Sequence, residues 1–475
     1  MKGGAMTKPY RDAPQAAGID VGTGGIRAVA VNLDGAVIAE AHRPLTSLAC
    51  GVGHEQDPLE WWRQLCACCR EVTSRAPELR AVSVTSTSGS LVVTDREGAP
   101  LRPAILYDDG RPASVAPKLN ALAGRPTWNA SHSLTKAVWV RETEPLVWSG
   151  VRRLLHPADW LSGKLSGQFG VSDHSNALKL GFLAESDAWS EDVERAGIPA
   201  ELLPRVVRTG EVTGQVTAEA SAETGLPAGI PVVAGGTDGL TSLIASGACK
   251  PGDANTTLGT TLVWKVLCQN RPRTGRGVYC HLHPSGMWAP GAASNTGPGH
   301  LQTAGSPEAD REAETWLPTG LFCYVLSGRG ERFPFLDETA EAFRSAEPSC
   351  AAEWHAAQLQ SLAFVERWGY ETLAACGVEL GDRVYSAGAA AESAVFSQLR
   401  ADVLGRVVVR CGHSTSAFGA AILAAAAACY GGDVCRALPA MAPEAAVREP
   451  DAARHERYGA LYAEFREACA RRGWK

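Results

Sequence analysis

The sequence predicts a two-domain α/β protein built on an internal duplication, and three observations carry that reading. The chain has 475 residues, enough for two or three domains rather than one. Its first hundred residues give the order strand, strand, strand, helix, strand. Near residue 254 a second strand–glycine turn–strand begins, and the same grammar runs again.

The elements follow in order. "AAGIDVGTGGIRAVAVNL", from Ala16 to Leu33, reads as a strand, a glycine turn and a second strand rich in β-branched residues. Asp34-Gly35 then turns the chain into a third strand, "AVIAEAHRPL". A dinucleotide-binding turn would need a helix directly after its glycines. Here the helix comes only at Pro58 to about Ser74, and "LRAVSVTS" follows it as a strand. Thr85 to Arg111 is again β in pattern, with a hairpin at Glu97-Gly98. From about Pro112 to Gly225, helix-like stretches such as "DWLSGKLSG" alternate with loops rich in Ser and Asn. "IPVVAGGTDGLTSLIASGA" (Ile230 to Ala248) reads strand, tight turn, helix. Pro and Gly cluster in "CKPGDAN", which divides the chain into domains 15–248 and 249–475. The second domain opens with "ANTTLGTTLVWKVLCQ", a strand, a Gly-Thr turn and a strand. "GVYCHLHPSGMWAPGAASN" is a hairpin, and "RVYSAGAAAESAVFSQLRADVLGRVVV" is strand, small-residue turn, helix, strand.

Composition narrows the partners. With 45% apolar and 20% charged residues this is an ordinary globular chain, and a net charge of −6 gives no general attraction to nucleic acid or anionic membrane. The segment before Ala16 has charges and prolines but no apolar core. The longest small apolar run, Ala417 to Tyr430, falls short of the roughly 20 residues that span a bilayer. The expectation is a cytosolic (cytoplasmic) protein whose 14 cysteines are reduced thiols. Cys66 and Cys69 have C-x-x-C spacing inside a helical pattern, and Cys280, His281 and His283 alternate along a strand; both groups read as structural rather than metal-binding. Trp61 and Trp62 read as helix packing.

Four short stretches carry chemistry. Asp20 ends an apparently buried strand, where a carboxylate needs a partner such as Mg²⁺ with its waters. Gly22, Thr23 and Gly24 offer backbone N–H groups and a hydroxyl to phosphate oxygens, or else form an exposed hairpin turn. Gly259 and Thr260 repeat that turn in the second half without the acid, and two such hairpins could close on one polyphosphate from opposite sides. Asp238 follows a β-run at the start of a helix pattern, which suits a helix N-cap and equally a general base held near a substrate hydroxyl. Asp108 and Asp109 in "YDDGR" have the look of paired catalytic acids but read rather as a surface turn paired with Arg111, with a sugar-facing role open for one of them.

Asp20-x-Gly-Thr, "LRPAILYDDGR", Gly-Gly-Thr-Asp-Gly and "ADVLG" occur in the order seen in sugar kinases of the FGGY family, which this chain resembles from about Ala17 to Ala428. Within the family it looks most like the D-ribulose kinases of cyanobacterial and plant-plastid type, through stretches such as "SNALKLGF" and "GERFP". "EQDP" followed by two tryptophans is similar to xylulose kinases. The resemblance implies the two-domain actin-like, hexokinase-like (ribonuclease H-like) ATPase fold, α/β with mixed sheets and a cleft between domains. It implies ATP and Mg²⁺ as cofactors and a ketopentose as substrate, D-ribulose first and D-xylulose second. Asp238 matches the family's catalytic base, with Asp20 and Asp238 at the metal. Asp20, Ser88 and Asp238 match sugar-side positions; Gly22, Thr23, Gly24, Gly259, Thr260 and Gly388 match the nucleotide side. Two departures stand out: Ala389 to Ala391 follow Gly388 where the family has consecutive glycines, and Pro298 stands where it tends to have glycine. The alanines motivate a second class of reading, a nucleotide-impaired paralogue that binds sugar as a sensor. The Ala-rich run after Phe418 is expected as a helix on the nucleotide domain's sheet.

Overall fold

The computed structural model describes residues 16–273, 275, 277–301 and 305–474. It divides into two units. Unit 1 holds the chain up to Ala245 together with Thr415–Ala442; unit 2 holds Ser246–Ser414 and Pro443 onward.

In unit 1 the strands are β1 (Ala16–Gly22), β2 (Gly25–Val31), β3 (Val37–Pro44), β4 (Val82–Ser86), β5 (Val212–Gln215) and β6 (Pro231–Thr237). They form one sheet in the order β5-β6-β4-β1-β2-β3. β1, β2 and β3 make an antiparallel meander, β1, β4 and β6 run parallel, and β5 closes the edge antiparallel. Helix α1 (Pro58–Arg75) starts where Asp57 accepts the Leu59 N–H and Pro58 presets the first turn. It buries Trp61, Trp62, Leu65, Cys66, Cys69 and Val72 in a core shared with Ala17, Ile19 and Val21. Each large side chain so covered contributes roughly 2–3 kcal/mol of transfer free energy.

The opposite face of β1 carries Gly18, Asp20 and Gly22, by the two-residue period of a strand. Helix α6 (Ser416–Cys429), every residue of which from Ala417 to Ala426 is buried, packs there. A Cβ on Gly18 would lie 1.9 Å from the Ala417 carbonyl oxygen, so the helix touches the strand backbone to backbone. The sequence expectation placed this helix on the second domain's sheet. It belongs instead to the first, because only glycine at 18 and alanines along the helix allow so close an approach. Helix α2 (Asp238–Ala245) follows β6 with no intervening turn and packs on α6.

Unit 2 repeats the plan. Its strands are β7 (Ala254–Leu258), β8 (Leu262–Val266), β9 (Tyr279–Leu282), β10 (Trp288–Ala293), β11 (Arg383–Ala387), β12 (Val407–Cys411) and β13 (Glu444–Arg448), in the order β9-β10-β8-β7-β11-β12-β13. Again the first strand is central, with antiparallel strands on one side, two parallel strands on the other and an antiparallel strand at the edge; unlike the meander of unit 1, β8 pairs with β10 and β9 lies outside it. Helices α3 (Pro307–Glu314), α4 (Ala351–Ala375), α5 (Ala394–Leu404) and α7 (Ala452–Arg471) supply its helical layers. Within its core, Arg400 makes a fork to Glu366 (2.6 and 2.7 Å) and reaches Ser386 Oγ at 2.7 Å.

The small groupings are structural. All 14 cysteines are free of disulfides, and burial pushes the Cys66 thiol up to about 12, the opposite of what a reactive thiol needs. His281 sits 3.1 Å from Lys265 Nζ and His283 2.7 Å from Ser285 Oγ. Among the described residues no group of three or more His, Cys, Asp or Glu side chains could hold a metal ion, and no single helix is long and apolar enough to cross a membrane.

Candidate active site

Three parallel strands of unit 1 end at one edge of the sheet, and the residues predicted from this half of the chain lie along it. Val21 of β1, Ser86 of β4 and Thr237 of β6 lie in register across the three strands. Asp20 therefore precedes this line by one residue, Ser88 follows it by two, and Asp238 by one. The Thr87 N–H donates to the Val21 carbonyl (3.3 Å), which folds the Thr87–Ser90 turn beside the β1–β2 hairpin.

Asp20 is set inside β1, two residues before its end, and on the face that α6 covers. Its Oδ1 is buried and finds no hydrogen-bond partner. Burial, then the neighbouring charge of Asp238, push its carboxyl up to about 7, with Arg27 opposing. A buried carboxylate oxygen with no donor is costly. It is what a hard cation or a phosphate-bound metal would satisfy.

Asp238 is the first residue of α2 rather than its cap. Its Oδ1 accepts the Gly239 N–H at 2.6 Å, and its carbonyl accepts the Ser416 hydroxyl at 3.2 Å. Ser416, at the first turn of α6, also meets Ser242 at 3.0 Å, so α2 and α6 present their N-termini together. The strand end before Asp238 is fixed by Ser175, whose Oγ lies 2.7 Å from Thr237 Oγ1 and accepts the Thr237 N–H. Behind it, buried Asp173 accepts from Ser175 N–H, Thr209 Oγ1 and Asn176 Nδ2. Neither Ser175 nor Ser416 stood out in the sequence; serines carry no spacing signal.

The hairpin turn holds Thr23 and Gly24. Nothing lies within 4 Å of a Cβ built on Gly24, and on Gly22 the nearest atom is 3.7 Å away. These glycines are not demanded by packing, unlike Gly18, so they leave an open cradle over the turn. Ser88 is half-buried, with its carbonyl accepting from Lys179 Nζ at 3.1 Å. Buried Lys136 is a neighbour that the sequence reading missed; burial and the Lys179 charge push it down to about 7.

The "YDDGR" turn is at the surface at Tyr107 and Asp108 but not at Asp109. Asp109 is buried, accepts from the Arg111 guanidinium through three contacts of 2.6 to 3.1 Å and from its backbone N–H at 2.9 Å, and also takes the His54 N–H at 2.8 Å. The Arg111 pairing is present; Asp108, paired with His54 Nδ1 at 2.8 Å, is the half that stays exposed.

In unit 2, Gly259 and Thr260 form the turn between β7 and β8. A Cβ on Gly259 would have 3.7 Å of clearance, while Gly297 and Gly299 press on the turn from behind, the Gly299 N–H donating to the Gly259 carbonyl at 2.9 Å. Pro298 lies between those two glycines as the first residue of a short 3₁₀ turn. Gly388 has φ +90° and its Cβ would lie 2.5 Å from the Leu258 carbonyl oxygen, so glycine is required there by packing. A cavity of about 300 Å³ adjoins it, lined among others by Pro298, Asp310, His355, Ala389, Ala390 and Ser393. Ala391 does not face it; its methyl is buried in the core. His355 Nε2 sits 2.8 Å from Asp310 Oδ1 in the wall, and hydrogen bonds from His355 and Ser393 outweigh burial to hold Asp310 below the usual carboxylate range.

Two family models match this chain: the N-terminal domain of the FGGY family of carbohydrate kinases over residues 16–245, and the C-terminal domain over residues 254–428. A xylulose kinase of Streptomyces rubiginosus is 33% identical over 292 residues, which span 59% of this chain and 60% of that protein. The xylulose kinase of Escherichia coli is 27% identical over 93% of this chain and 96% of its own. A solved xylulose kinase structure from Rhodospirillum rubrum superposes with a TM-score of 0.83 at 27% identity, covering 96% of this chain and 98% of that one.

Proposed function

Because the chain belongs to the FGGY family of carbohydrate kinases, we propose that it transfers the γ-phosphate of ATP to the terminal primary hydroxyl of a ketopentose. The observation that carries this reading is the acid pair at one sheet edge: Asp20, with an unpartnered buried oxygen, beside Asp238 at the start of α2. Phosphoryl transfer asks a protein mainly for positioning, charge neutralisation and a proton acceptor. Asp238 accepts the proton of the sugar hydroxyl as that oxygen forms its bond to the γ-phosphorus and ADP leaves. The exposed turn of Gly22, Thr23 and Gly24 offers backbone N–H groups to phosphate oxygens, and in unit 2 the Gly259–Thr260 turn does so through Thr260, its Gly259 N–H being held by the Thr261 carbonyl at 3.2 Å. Ser88, with Asp20 and Asp238, borders the sugar. Asp20 and Asp238 would hold Mg²⁺, which supplies neutralisation of the phosphate charge; two carboxylates completed by phosphate and water oxygens suit that ion. The cavity beside Gly388 takes the nucleoside; of the three alanines after that glycine, Ala389 and Ala390 line it and Ala391 is buried in the core.

For the sugar, the names of the relatives favour D-xylulose, while "SNALKLGF" and "GERFP" favour D-ribulose. ADP release from purified protein, measured with D-xylulose, D-ribulose, L-ribulose, glycerol and no sugar, decides between them. Turnover confined to one pentulose names the substrate. Saturable sugar binding with no ADP release from any of them would overturn the kinase reading in favour of a sensor.

A further inference from the structure

Gln56 is the last residue of the short strand Gly53–Gln56, directly before the Asp57 cap of α1, and is 1% exposed. Its side-chain amide is fully used. Nε2 donates to the Thr23 carbonyl at 2.7 Å and to Ser47 Oγ at 3.0 Å, and Oε1 accepts the Trp61 indole N–H at 2.8 Å. The orientation is fixed by chemistry: an indole N–H only donates and a carbonyl only accepts, so the amide fits one way round. Trp61 is itself locked in the core of unit 1. A rigid chain of contacts therefore runs from the core to the Thr23 carbonyl.

That carbonyl shares a planar trans peptide with the Gly24 N–H, and the two point in opposite directions. Holding the Thr23 oxygen against Gln56 turns the Gly24 N–H the other way, away from the buried Gln56 amide. The next carbonyl, of Gly24, is likewise held by the Leu45 N–H at 3.3 Å. A Thr-Gly peptide is otherwise easy to flip, because glycine adopts either sign of φ at little cost. A flipped peptide would aim a carbonyl oxygen at any phosphate in the cradle.

We infer that Gln56 is a positioning residue: it locks the Thr23–Gly24 peptide with its N–H presented to the nucleotide's phosphates. The inference rests on the reading of this turn as a phosphate site. The lock predicts an effect on ATP alone. Steady-state kinetics of the full chain, wild type against Gln56→Glu and Gln56→Met, test it. Gln56→Glu keeps the Trp61 bond and the side-chain size but sets a carboxylate oxygen against the Thr23 carbonyl. Losing one hydrogen bond of this kind corresponds to about a three- to tenfold rise in KM for ATP, with KM for sugar unchanged. That rise, taken relative to wild type, shrinks as pH falls, because a protonated glutamate donates again. Gln56→Met shows a similar rise with no pH dependence; should it fail to fold, the pH profile of the glutamate variant decides alone. Unchanged KM for ATP, or KM for ATP and sugar rising together with a lower melting temperature, overturns the lock. A wild-type protein with no ATP-dependent turnover on any sugar fails earlier: it removes the phosphate reading and the lock with it.

Discussion

Replacing Asp20 with asparagine should stabilise the free protein while destroying its activity. The Asp20 carboxyl titrates near 7 in the folded chain against 3.8 for an unperturbed aspartate. Below about pH 3.8 it is protonated in both states and contributes no pH dependence. Between the two values the unfolded chain releases the proton while the folded chain keeps it, so folding stability falls as pH rises. Each pH unit is worth about 1.4 kcal/mol, and the whole interval about 4 kcal/mol, lost by the time pH passes 7. An asparagine at 20 has no proton to lose. Urea unfolding followed from pH 4 to pH 8 should therefore show Asp20→Asn gaining on wild type as pH rises, by up to about 4 kcal/mol at pH 8. Added Mg²⁺ or MgATP should then stabilise wild type and leave the variant unmoved, since binding to the native state alone raises stability. Parallel stability–pH curves for the two proteins would refute the claim that burial and the Asp238 charge raise the Asp20 carboxyl in the free state.

Asp238→Asn should abolish phosphoryl transfer with sugar binding retained, and should lower the Asp20 titration midpoint by removing the second largest cause of its shift, which NMR of the Asp20 carboxyl reads directly. Gly24→Ala and Gly18→Ala should separate function from packing. The first meets no atom within 4 Å and should leave the melting temperature unchanged while raising KM for ATP. The second drives a methyl to 1.9 Å from the Ala417 carbonyl and should cost about 3 kcal/mol or more in chemical denaturation. Gly388→Ala combines φ +90° with a 2.5 Å clash on Leu258, so unit 2 should lose about 2–3 kcal/mol and nucleotide binding should weaken, as calorimetric titration with ATP can measure.

The strands and the repeated plan were legible because their signals are local. A glycine between two β-branched runs, or an Asp-Gly pair before a third, states its conformation within a few residues. Helix α6 shows where that stops. Its sequence is apolar all round, so periodicity declares it buried but cannot say in which unit. The answer lies at Gly18 and Gly419, about 400 residues apart in sequence, where Cβ atoms would lie 1.9 Å from the Ala417 oxygen and 2.0 Å from the Thr241 oxygen. Only the folded chain brings those backbone atoms together.

The site divides in the same way. Asp20, Asp238 and the Gly-Thr turns could be singled out because each lies within two residues of a strand end, where parallel strands collect their C-terminal residues at one edge. What holds them could not be named. Gln56 stands in the "EQDP" stretch ahead of the helix, Ser175 among loop serines and Ser416 beside an alanine-rich run, yet each bonds the backbone of a residue read as functional or of its immediate neighbour. Supporting residues act through distance in space and need only one polar atom, so many side chains could serve and none leaves a pattern. Asp109 is the converse: its sequence surroundings are those of an exposed turn, but Arg111 and the His54 N–H neutralise it well enough to bury it, and the Arg111 and His54 hydrogen bonds hold it below the usual carboxylate range despite that burial. A carboxylate so held is a poor proton acceptor. Asp20, buried without such donors, is instead pushed up to about 7 by burial and the Asp238 charge.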